Sequence, residues 1–107
     1  MKYKVFIFCP DDQKIIDKII DAASAAGAGI MGNYTHTAFI SKGTGQWMPH
    51  AGAHPAIGKV GQLSKVDEVK IEMQCEAAKT KAVHEAIRKV HPYEEPAIEF
   101  VKIEKIT

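Results

Sequence analysis

The chain has 107 residues, 46% of them apolar, and its 14 Lys plus Arg stand against 13 Asp plus Glu for a formal net charge of +1. That length suits one small domain built on one core, and the balanced charge lacks the positive field that a nucleic-acid-binding surface needs. The N-terminal apolar run over residues 5–9 stops at Pro10-Asp11-Asp12. It is too short for a signal-peptide core or a membrane span, so the expected setting is cytoplasmic with no membrane contact. Cys9 and Cys75 form no CxxC pair and read as small buried apolar groups.

Residues 3–9 predict a strand with Tyr3, Val5, Ile7 and Cys9 on one face and Phe6 and Phe8 on the other. Apolar groups on both faces predict a central strand whose second face is covered by a partner subunit or a long loop. Asp11 or Asp12 caps a helix over residues 12–26, with Ile15, Ile16, Ile19, Ile20 and Ala23 inward and Lys14, Asp17, Lys18 and Asp21 in water. Gly27, Gly29 and Gly32 end it, and a strand is expected over residues 34–41.

Residues 42–65 carry Gly43, Gly45, Gly52, Gly58 and Gly61 together with Pro49 and Pro55. A bare loop of that length is unusual in a small domain, which predicts short strand pieces or an arm packed on another chain, with Trp47 and Met48 as contact material. Residues 69–76 alternate strictly, Val69, Ile71, Met73 and Cys75 against Lys70, Glu72, Gln74 and Glu76. Residues 77–90 return to helical spacing until His91-Pro92 stops them, and residues 97–103 close as a strand. The order predicts an α+β fold, a ferredoxin-like βαββαβ sandwich: one domain over residues 1–107, an antiparallel sheet with two helices on one face, and a long glycine-rich insert.

The six residues from Gly27 to Gly32 satisfy GxGxxG, but they close a helix instead of opening one after a strand, so the dinucleotide reading is set aside. Residues 52–59 fail the phosphate-loop spacing, and Val60 stands where Ser or Thr is needed. His50 and His54 share a four-residue spacing in an irregular segment, where spacing does not make the rings converge. His91-Pro92-Tyr93-Glu94-Glu95-Pro96 brings imidazole, phenol and two carboxylates into a constrained turn. That set can bind a divalent metal or transfer protons; the simpler alternative is a turn that fixes entry into the last strand, with Glu94 and Glu95 solvated and Tyr93 packed at an interface. Glu72 joins the set only if its strand neighbours the final one. No serine elbow or nucleophile triad is apparent.

Three phrases carry a resemblance: Gly32-Asn33-Tyr34-Thr35-His36, the glycine-rich stretch from Gly43 and Gly45 through Pro55, Gly58 and Gly61 to Glu72, and His91-Pro92-Tyr93-Glu94-Glu95-Pro96-Ala97. Together they resemble the domain inserted in many Nif-three-like proteins, which also occurs as short stand-alone proteins. The resemblance spans residues 3 to about 103 and implies a ferredoxin-like domain related in shape to PII and CutA-type proteins, whose members associate through their sheets. It carries over His36, Glu72, His91, Tyr93, Glu94 and Glu95 as motif positions; His50 and His54 match no family phrase. In that family the dinuclear-metal site belongs to the flanking main domain, so neither a hydrolase nor a GTP-cyclohydrolase label transfers with the insert, and 107 residues leave no length for that main domain.

The leading expectation is a non-enzymatic, oligomeric small-ligand-binding or regulatory domain of unknown specificity, a dimer or trimer. The first alternative is a divalent-metal sensor or metal-dependent hydrolase using His36, His91, Glu94, Glu95 and Glu72, with zinc or copper as the metals that suit imidazole. The second is an assembly scaffold, with a Nif-three-like main-domain protein as partner.

Overall fold

The computed structural model describes residues 1–104 and orders them as β1 (Lys2–Pro10), α1 (Gln13–Ala25), β2 (Phe39–Trp47), β3 (Ser64–Glu76), one 3-10 turn (Ala77–Lys79), α2 (Thr80–Val90) and β4 (Ile98–Ile103). The sheet runs β2-β3-β1-β4 with every neighbouring pair antiparallel. This is the ferredoxin-like βαββαβ sandwich, with both helices on one face.

Strand alternation builds the core. Val5, Ile7 and Cys9 of β1 and Val69, Ile71, Met73 and Cys75 of β3 are buried on the face that receives Ile16, Ile19 and Ala23 of α1 and Val83 and Ile87 of α2. Asp12 starts α1, its Oδ1 accepting from the N–H groups of Lys14 at 2.9 Å and Ile15 at 3.3 Å, which satisfies two donors that the first turn leaves orphaned. Both cysteines are free and buried. Burial, with lesser repulsion from Glu68, Asp11 and Asp12, pushes the Cys9 thiol up to about 12, so it packs as an inert apolar group.

The second strand differs from expectation. It begins at Phe39 and runs through Gly43 and Gly45 to Trp47, where the sequence places a strand over residues 34–41 and a glycine-rich connection from residue 42. Glycine weakens a strand without forbidding it, and here nine cross-strand pairs with β3, from Phe39–Glu72 to Trp47–Ser64, hold the segment extended. Gly45 has a specific reason to be glycine: a Cβ there would collide with the Glu68 carboxylate on β3. The connection proper is therefore residues 48–63. The expected loop after α1 does occur, with Gly29 at φ +74°, its N–H bonded to the Gln74 carbonyl at 2.7 Å and a Cβ excluded by Met73 and the Thr37 backbone.

β3 is longer than expected, and its extra residues position the site. β1 pairs with β3 only from Glu68 onward, so residues 64–67 and their β2 partners project past the core as a two-stranded ribbon. Such a ribbon is not stable alone. Its flank is covered by the 48–63 connection and by the turn that follows α2.

On the sheet face away from the helices lie Phe6 and Phe8 of β1, Phe39 of β2 and Val101 of β4, with Lys70 and Glu72 of β3 between them. Phe39 is 66% exposed and Val101 51%, while Phe6 lies under the Lys70 ammonium, 4.8 Å from ring centroid to Nζ. The 48–63 connection and the turn after α2 cover the Phe8 end of this face, and Phe39 and Val101 stay exposed. No helix of the described residues is long and apolar enough to cross a membrane.

Candidate functional site

The turn between α2 and β4 is anchored by His91, which is 8% exposed. The β1–β4 ladder ends at Ile7–Ile98, leaving the next carbonyl, that of Phe8, without a strand partner. His91 Nε2 sits 2.8 Å from that oxygen, while Nδ1 accepts the Tyr93 N–H at 3.1 Å. An accepting Nδ1 carries no proton, so Nε2–H is the donor and the ring is neutral. Burial lowers the affinity of this imidazole for a second proton, more than the Phe8 carbonyl and the Glu68 carboxylate raise it.

Tyr93 leaves that anchor and reaches across the end of β1 to β3. Its hydroxyl donates to Glu68 Oε2 at 2.7 Å, and its ring lies 5.3 Å from Trp47 and 5.0 Å from His91, tilted to both. Burial and the bond to Glu68 hold the phenol well above its usual range, which fixes it as a donor. Glu94 Oε1 accepts the His54 N–H at 2.9 Å, tying the connection to the turn, and Gly61 N–H bonds the Pro49 carbonyl at 2.8 Å. These ties enclose a cleft of about 430 Å³ beside the projecting ribbon, bounded by Phe8, Trp47 and Tyr93 and by Glu68, Glu94 and Glu95.

The residues marked by sequence separate into distinct places. His91, Tyr93, Glu94 and Glu95 stay together at the cleft. His36 does not join them: it is half exposed against α1, its Nε2 3.1 Å from Asp21 Oδ1 and its Nδ1 2.9 Å from Thr35 Oγ1. Gly32 and Asn33 form a two-residue turn closed by reciprocal 2.9 Å bonds between Met31 and Tyr34. Gly32 there has φ +57°, so this phrase has a turn-forming reason. Glu72 lies on the open sheet face between Lys4 at 3.7 Å and Lys70 at 4.0 Å. Its strand neighbours β1 and β2, not the final strand, so the condition for its joining the turn is not met. Glu68, four residues earlier, is the carboxylate that meets Tyr93. The alternation in β3 placed Glu68 and Glu72 on one face; only the pairing with Pro10 and Gly43 puts Glu68 at the turn.

Within one chain the turn does not fit a metal. Both His91 nitrogens are committed, and among the described residues no group of three or more His, Cys, Asp or Glu is placed to hold an ion.

Gly45, Glu68 and Tyr93 form one unit, which gives a testable coupling. Tyr93→Phe removes a half-buried hydrogen bond to a carboxylate and costs about 1–2 kcal/mol. Gly45→Ala pushes Glu68 away, so in that background Tyr93→Phe costs close to nothing. Denaturant unfolding of the double-mutant cycle measures the coupling; additive costs would show that Gly45 does not position Glu68.

Comparisons with known proteins match the chain by sequence and by fold. The CutA1 family of divalent ion tolerance proteins matches residues 59–107. A Bacillus cereus protein related to NIF3 superposes with TM-score 0.81 at 36% identity, over 97% of this chain and 26% of that one. The GTP cyclohydrolase 1 type 2 homolog of Halalkalibacterium halodurans is 44% identical over 95 residues, 89% of this chain and 25% of its own length. That of Bacillus subtilis is 39% identical over 102 residues, 95% of this chain and 27% of its own. The chain resembles a CutA1/PII-like domain inserted within the larger Nif3-like family. It spans about a quarter of the length of the curated Nif3-like relatives it matches. CutA1 of a psychrotrophic Shewanella matches with TM-score 0.71 at 18% identity, over 99% of this chain and 84% of that one, a likeness of fold alone.

Proposed function

We propose that this Nif3-like, CutA1-like domain is a non-enzymatic, self-associating unit that binds a small ligand in the cleft beside Trp47, Tyr93 and Glu68 and serves regulation or assembly. The observation that carries the proposal is the exposure of Phe39 and Val101 on the sheet face away from the helices, an apolar surface that a small domain gains by burying. The cleft supplies the ligand half of the reading: it is walled by aromatic and apolar groups with a few fixed carboxylates, the usual makeup of a small-molecule site. A dimer or trimer is the expected state. Sedimentation velocity from about 1 to 100 µM tests it; a sharp monomer boundary throughout that range opposes the proposal.

The second half of the partner reading is a Nif3-like main domain, supported by relatives about four times as long as the matched segment. A reducing, cytoplasmic setting belongs to the same proposal, supported by the two unpaired thiols. A divalent-cation reading, zinc or copper, is supported by the description of the CutA1 family, with His36 as the exposed imidazole of the candidate set. Zinc calorimetry on the protein and on His36→Ala tests it: heat above the buffer control that His36→Ala abolishes supports a site there, and no heat removes it.

A further inference from the structure

The cleft has a sign as well as a shape. Glu68, Glu94 and Glu95 line it together with the imidazole of His50, and among the described residues no lysine or arginine does. This local balance is unlike the chain as a whole, whose formal charge is +1. Two of the three carboxylates are held in place, Glu68 by the Tyr93 hydroxyl and Glu94 by the His54 N–H, so their charge is fixed toward the cleft without the cost of ordering free side chains. Each of those bonds occupies one oxygen and leaves the other carboxylate oxygen to accept. The walls beside them are Trp47 and Tyr93, 5.3 Å apart and tilted by 57°, together with Phe8, Pro49 and Ile57.

An anion is repelled by this lining, and a bare metal ion gains nothing from its apolar majority. An ammonium group uses both components: its charge pairs with carboxylate and with the electron-rich faces of indole and phenol, while an attached apolar body fills the rest of the 430 Å³. We propose that the cleft binds a small organic cation, an ammonium carried on an apolar or aromatic body, with Glu68 as the charge partner and Trp47 and Tyr93 as the aromatic walls. This rests on the ligand-binding reading above and names its chemical class.

Trp47 is the only tryptophan of the chain, so its emission reports the cleft directly. The 107-residue chain is titrated with benzylammonium, with benzyl alcohol as the neutral probe and with benzenesulfonate as the anionic one. The expected result is a saturable change with the ammonium in the millimolar range, weakened about tenfold by Glu68→Gln and by raised salt, and absent with the sulfonate. Glu68→Gln keeps an acceptor for Tyr93, and Glu95→Gln gives a second charge-removing variant whose side chain makes no hydrogen bond among the described residues. Saturation by the neutral or anionic probe without preference for the ammonium overturns the cation assignment and leaves the ligand-binding reading standing. No saturable response from any of the three overturns both.

Discussion

Replacing His91 with leucine is expected to lower the unfolding free energy by about 2–4 kcal/mol, since it strands two backbone groups at once. The Phe8 carbonyl lies just past the last β1–β4 pair and the Tyr93 N–H lies inside a tight turn, so neither has a strand to turn to. The isosteric volume of leucine preserves packing, which isolates the polar loss. His91→Gln restores a donor at similar reach toward Phe8 and is expected to recover about 1 kcal/mol of the deficit. Equal destabilisation by leucine and glutamine would contradict the role assigned to the ring.

The same residue sets an acid limit. Folding lowers the proton affinity of His91 below its ordinary value of about 6.5, so below that pH the unfolded chain binds the extra proton more readily and stability falls as pH falls. Above about pH 6.5 the contribution is complete. Wild type minus His91→Leu, followed by denaturant midpoints from pH 8 to pH 5, is expected to show a difference that shrinks only on the acid side. Shrinkage on the alkaline side would reverse the assignment.

The second large effect concerns the open sheet face. Phe39 and Val101 are more than half exposed, and their cross-strand partners are Glu72 and Lys4, so Phe39→Lys with Val101→Glu is expected to change the stability of a single copy by no more than about 0.5 kcal/mol each. If copies meet on this face, each buried Phe39 contributes about 1.5–3 kcal/mol of transfer free energy. Two of them across an interface give about 3–6 kcal/mol, hence association weakened at least about 100-fold. Sedimentation velocity of the double variant beside wild type reads the result. Unchanged association would move the interface elsewhere.

Much of the fold was legible because local pattern and tertiary environment agree. The alternation in β1 and β3 is the burial pattern itself, and Asp12 caps α1 where a short acceptor precedes an isoleucine repeat. β2 was less legible because Gly43 and Gly45, breakers by local propensity, are held extended by pairing with β3 and, at Gly45, by the close approach of Glu68. The HPYEEP turn announced itself through its density of chemistry. Its partner carboxylate did not, because Glu68 and Glu72 share one face of β3 and only the strand order β2-β3-β1-β4 decides which of them meets Tyr93. His36 and His91 look alike in sequence, yet one is exposed against α1 and the other has both nitrogens engaged under the sheet end.

We propose that copies of this domain meet through the sheet face opposite the helices. Site-specific photocrosslinking tests it most directly, with a benzophenone side chain placed at position 39 on that face or at position 18 on the exposed side of α1. Covalent species at multiples of the 11.7 kDa chain are expected from position 39 and none from position 18. Crosslinks from position 18 alone, or from neither position at about 100 µM protein, would contradict it.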